Sequence, residues 1–133
     1  MSMPSQGALR LLHAYLAVGV VALSGAAILQ LPLERWVADG TNWGYCPGWQ
    51  REIAFWNLTL LAVLVQALVW GDVPSKLFVV RAGMLLSLLT GVNHLVEVLR
   101  GGQVSTHVWG VGNFAYVVLG VIVLVACRRH RPA

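Results

Sequence analysis

Four apolar runs, near positions 8–31, 51–70, 76–99 and 107–127, constrain this chain more than any other feature. Each is close to the roughly 20 residues a helix needs to cross about 30 Å of hydrocarbon. The expectation is an all-α, polytopic membrane protein, a four-transmembrane-helix bundle over residues 1–133 as a single membrane domain. Composition agrees: 58% of the 133 residues are hydrophobic and 11% charged, where a soluble domain carries about 25% charged residues. No stretch remains for a second, soluble domain. The formal charge of +4 does not point to nucleic acid, because the basic residues sit at the ends of apolar runs without interleaved aromatics.

The third run, Lys76 to Arg100, is apolar except for a line of polar residues. At the helical period Gly83, Ser87, Thr90, His94 and Glu97 share a stripe about 80° wide, with Asn93 and Arg100 on its border. Ionisable groups at membrane depth are costly and face a bundle interior or a wet cavity. The other spans are therefore expected to hide this stripe from lipid.

Along the first span Tyr15, Gly19, Ala22, Ala26 and Gln30 share a face whose small residues admit a close neighbour helix. Its apolar run exceeds the roughly 7–15 residues of a signal peptide core, so it reads as a retained helix. Positions 32–50 form a loop, with turn signals at Asp39-Gly40 and Pro47-Gly48. Trp36, Trp43, Tyr45 and Trp49 suit a cap at the headgroup layer, or a lid over a pocket. In the second span Glu52, Trp56, Thr59, Val63, Gln66 and Trp70 fall on one line, expected to face inward. Asn57-Leu58-Thr59 spells a glycosylation sequon but lies inside an apolar span. Pro74 breaks the chain between the second and third spans, and the fourth turns Trp109, Asn113, Tyr116 and Gly120 to one side. Cys46 and Cys127 fall at opposite ends of the bundle, too far apart to bridge.

Four spans put Arg10, Lys76, Arg81, Arg128, Arg129 and Arg131 on one side and Arg35, Arg51 and Arg100 on the other. The excess of positive residues assigns the first side, with both termini, to the cytoplasm of a bacterial-type plasma membrane. The Trp-rich loop then faces outward. Glu97, Glu52 and His94, the candidates for acid–base work, converge at that face, where His107 also falls. Trp56, Asn93, Trp109, Asn113, Tyr116 and Arg100 are the candidate ligand-binding residues.

Several chemistries fit such a cluster. The polar residues can serve as interhelical glue that fixes register. They can line a pocket for a lipid-like, isoprenoid or quinone-like molecule, where desolvation prepares a carboxyl for proton transfer. His94-Leu95-Val96-Glu97 has the i, i+3 spacing of metal-binding bundles, but occurs once. His94 and His107 lie at unequal depths, against a haem. Proton-coupled transport lacks the first-span carboxylate it would use. No cofactor is singled out. Partners are membrane lipids, a lipid-like ligand, a second copy, or a larger membrane complex in which the chain is a non-catalytic accessory subunit.

The plan resembles the small bacterial DoxX-like four-helix proteins: a Gly/Ala-rich first helix ending Leu29-Gln30-Leu31-Pro32-Leu33, an early arginine in the third span, Arg81, and both termini inside. The sterol-isomerase-like four-helix proteins, with acidic residues lining a pocket, are a weaker similarity. The first resemblance implies the fold and, for members that partner redox enzymes, an accessory role. It brings no catalytic residues.

Overall fold

The computed structural model describes residues 4–39, 41, 43–101 and 109–128. Within them every regular element is a helix: α1 spans Gln6–Gln30, α2 Glu34–Asp39, α3 Pro47–Trp70, α4 Val73–Leu99 and α5 Trp109–Arg128. Four of these helices, all but α2, are long and apolar enough to cross a membrane, which makes this a multi-pass membrane protein.

Local chemistry sets the helix ends. Ser5 caps α1 by accepting from the Ala8 backbone N–H at 3.2 Å. Pro47 occupies the first position of α3, where its missing N–H is harmless, so α3 begins four residues before the expected 51. Asp72 caps α4, its Oδ1 accepting from the Ser75 N–H at 2.9 Å, with Pro74 in the first turn. The expected turn at 71–75 thus shrinks to Gly71 and Asp72. Gly71 is needed there, because a Cβ would stand 2.5 Å from the Ala67 carbonyl oxygen. Within the expected 32–50 loop, α2 forms one short helix. It is tied to the following segment by the Tyr45 hydroxyl, which donates to Glu34 Oε1 at 2.6 Å.

The helices pair as α1 with α3 and α4 with α5, and α1 joins the pairs by also packing on α5. The interior is small. Leu12, Tyr15 and Leu16 of α1 meet Val80 of α4 and Val123 of α5 with no exposed surface, and Leu64 of α3 closes the cluster. At its centre the Tyr15 and Tyr116 rings stack with centroids 4.0 Å apart. The Tyr15 hydroxyl donates to the Val80 carbonyl at 3.3 Å, and the Tyr116 hydroxyl to the Tyr15 carbonyl at 3.2 Å. Glycines make room for these rings. A Cβ on Gly19 would collide with the Tyr116 hydroxyl and one on Gly120 with Met84, while one on Gly83 would stand 3.2 Å from the Tyr15 hydroxyl. Close approach through small residues is how membrane helices gain dispersion contact, since lipid tails are as apolar as leucine.

The α3 line does not face this interior. Glu52, Thr59, Val63 and Gln66 are exposed, as are Trp56 at 65% and Trp70 at 76%. Gln50, Ala54, Leu64 and Ala67, on another side of the helix, are the buried ones. The physical reason is the solvent: in hydrocarbon, helices close-pack through small side chains such as Ala54 and Ala67, so a polar line need not mark the packed face.

Candidate functional site at the loop end of the bundle

Helix α4 turns the expected stripe inward in part. Ser87 and Glu97 are buried and Gly83, Thr90 and His94 are half-buried, with Gly91 beside the stripe buried as well. Thr90 lies at the edge and satisfies its hydroxyl by donating to the Leu86 carbonyl at 2.9 Å. Glu97 is 8% exposed, although it occupies the last turn of a helix that ends at Leu99. Its ion-pair partner is Arg100, whose Nη1 donates to Oε1 at 3.4 Å from a side chain 71% exposed. A long contact to a solvated guanidinium on the same helix holds weakly. The carboxylate is fixed by burial more than by its arginine.

Two segments close on the same end of α4. The Trp43 ring, from the segment before α3, lies against His94 with centroids 5.5 Å apart and planes at 46°. From α5, a Cβ on Gly110 would stand 2.7 Å from His94 Cβ, and the Gly91 position is covered at 3.2–3.3 Å by Phe114 and Asn113. Small residues on both helices bring the start of α5 against the end of α4. Glu97, Arg100, His94 and Asn113 therefore share the loop end of the α4–α5 pair, with Trp43 folded over His94.

The other expected site residues lie elsewhere. Glu52 and Trp56 are on the outer surface of α3, and Asn93 is exposed on α4. Tyr116 sits in the middle of the bundle, committed to Tyr15. Trp109 opens α5, but its side chain and all of His107 lie outside the described residues. Two residues not expected in the site have a stronger structural signature. Gln50, 6% exposed, and Gln30 each bury a carboxamide oxygen with no hydrogen-bond partner among the described residues. Gln30 ends α1 and Gln50 lies in the first turn of α3, so both belong to the loop end. A buried acceptor left unpaired costs about 1–3 kcal/mol. Gln50 gave no sequence signal because Pro47 and Gly48 mark a turn, and only the N1 preference of proline would have put it on the helix.

Chemically, the loop end offers a buried carboxylate, an imidazole under an indole, a carboxamide on α5 and two unsatisfied carbonyl acceptors. Its bias is toward a ligand that donates hydrogen bonds or carries positive charge. Among the described residues no three His, Cys, Asp or Glu side chains gather as a metal site would require. Two open surface grooves lie elsewhere, one of about 390 Å³ along Leu31 to Trp36 and one of about 270 Å³ on α5 beside Val121 and Val125. Neither is lined by Glu97. Comparison with protein-family models, with curated proteins and with solved structures finds no match to this chain.

Proposed function

We propose that this protein binds the polar head of a lipid-like molecule at the loop end of the bundle, with its apolar part running down the helices. One observation carries the reading: the carboxamide oxygens of Gln30 and Gln50 are buried without partners among the described residues, at the end of the molecule where Glu97 is buried too. A ligand presenting hydroxyl or amino groups would satisfy those acceptors and gain a carboxylate. Glu97 and His94 are the groups able to move a proton on such a ligand, so acid–base turnover of an isoprenoid- or quinone-like head is compatible with binding. By the balance of basic residues this end faces outward from a bacterial-type plasma membrane with both termini cytoplasmic. A DoxX-like four-helix plan accommodates the same arrangement.

Native mass spectrometry on protein extracted in mild detergent tests the proposal. The wild type should retain a lipid-like adduct that Glu97→Gln loses while staying folded. An adduct of unchanged mass and occupancy in the variant sinks the binding reading. Orientation is checked by impermeant thiol labelling of intact cells, which should reach the exposed Cys46; labelling restricted to Cys127 reverses the topology.

A second reading rests on the α3 face. Glu52, Trp56, Gln66 and Trp70 all point away from the single chain, and polar side chains at membrane depth favour a protein neighbour over lipid. The chain would then be a non-catalytic accessory subunit, or one copy in an oligomer. Trp56→Ala with Gln66→Leu should release a stoichiometric partner from a mild-detergent preparation; a complex that survives both changes removes this reading.

A further inference from the structure

At the opposite end, where α1 begins and α5 ends, Lys76 stands in the first turn of α4 and is only 9% exposed. Its Nζ is 2.8 Å from Nε2 of His13 on α1. An ammonium has no lone pair, so Lys76 must donate in this bond. His13 is thereby held as the neutral tautomer with Nε2 bare and the proton on Nδ1. His13 itself is exposed, so that Nδ1–H is a donor presented at the surface with a buried cation directly behind it.

Among the described residues no carboxylate pairs with this cation, and the one ion pair is Arg100 with Glu97, at the far end. Asp72 lies one turn before Lys76 but is engaged as the α4 cap on Ser75. The other titratable groups at this end, among the described residues, are a buried thiol, Cys127, and further cations. Arg10 is one turn before His13 on α1, and Arg128 ends α5; both are exposed. Cys127 packs in the same cluster as Ala8 and Leu12, which puts the end of α5 beside the start of α1. A buried charge is tolerated when it is paired and hydrogen-bonded, and among the described residues this one has the His13 imidazole alone.

We propose that Lys76, His13 and Arg10 form a binding site for the phosphate of an anionic phospholipid at the terminal end of the bundle, with Arg128 at its edge. The phosphate oxygens accept from His13 Nδ1–H and from the Arg10 guanidinium, and their charge compensates Lys76. Basic pockets between membrane helices recognise anionic headgroups by this chemistry, and charge-assisted bonds to phosphate are the strong ones. The site is independent of the loop-end cluster.

The test is native mass spectrometry of the delipidated full-length protein titrated separately with phosphatidylglycerol, phosphatidylcholine and inorganic phosphate. Phosphatidylglycerol should bind at least tenfold more tightly than phosphatidylcholine. Lys76→Met and His13→Phe should each erase that preference, whereas Arg51→Gln, which removes one positive charge at the other end, should keep it. The two variants remove different halves of the site, so either one that keeps the wild-type helical circular dichroism supplies the result. Equal affinity for the two lipids, or a preference that survives Lys76→Met or His13→Phe, overturns the proposal. Inorganic phosphate competing at the same concentration as phosphatidylglycerol overturns the assignment to a lipid.

Discussion

The two halves of this bundle are built on different terms. In the middle, α1, α4 and α5 close on a stacked tyrosine pair whose hydroxyls both reach backbone carbonyls, with glycines cut to fit around them. At the loop end, among the described residues, Glu97 is buried behind one long ion pair and two carboxamide oxygens are buried without a partner. The first region spends its polar atoms on holding the helices together. The second leaves some of them unspent, and unsatisfied buried groups in a folded protein mark a place where function competes with stability.

The contrast is broken most forcefully from the middle. Tyr15→Ala removes a fully buried ring and should cost about 3–5 kcal/mol, as truncation of a core aromatic does. A thermal melt in detergent would show it as the largest loss, and a variant melting with the wild type would dismiss the tyrosine pair as the bundle's keystone. Gly19→Val forces side-chain atoms toward the Tyr116 hydroxyl and Leu64 and should cost about 1–3 kcal/mol by overpacking. An equal or larger cost for the same change at Gly25, where a Cβ meets nothing within 4 Å, would contradict this account of the glycines. At the loop end Glu97→Gln should shift the melt little, by about 1 kcal/mol or less, since the pair it breaks has a solvated arginine.

The smallest effect belongs to the turn between the helix pairs. Hydrogen bonds from Ser75, first from its side chain and then from its backbone, hold the Asp72 carboxyl below the usual aspartate range. A depressed folded-state pKa adds stability that is complete above the ordinary value of about 3.9 and is lost as pH falls through the lower folded value. Asp72→Asn keeps a capping side chain but removes the titration, so its melting temperature should drop less than the wild type's between neutral and strongly acidic pH. Identical acid sensitivity in both proteins would refute this role for Asp72.

What could be read from the residues beforehand follows the same division. The four spans were legible because hydrocarbon thickness fixes their length, and the α4 stripe because Gly83, Ser87 and Glu97 repeat at the helical period with small or ionisable side chains. The α3 line misled for a reason specific to membranes: its buried face is Ala54, Leu64 and Ala67, indistinguishable by hydropathy from a lipid-facing surface. That left Glu52 and Trp56 outside a site they were expected to line. Lys76 read as an orientation signal, and its contact with His13 depends on how α1 and α4 cross, which no local pattern encodes. Gln30 and Gln50 became visible only when packing showed their oxygens without partners.

The claim that the loop end is incompletely satisfied by the chain itself is tested most directly by the melting temperature of delipidated Gln50→Leu against delipidated wild type. Replacing an unpaired buried acceptor by an apolar group of similar size is neutral or stabilising, whereas breaking a made hydrogen bond destabilises. The account predicts that the leucine variant melts at a higher temperature than the empty wild type. A lower melting temperature would show that the Gln50 carboxamide is already paired within the fold, and would contradict the account.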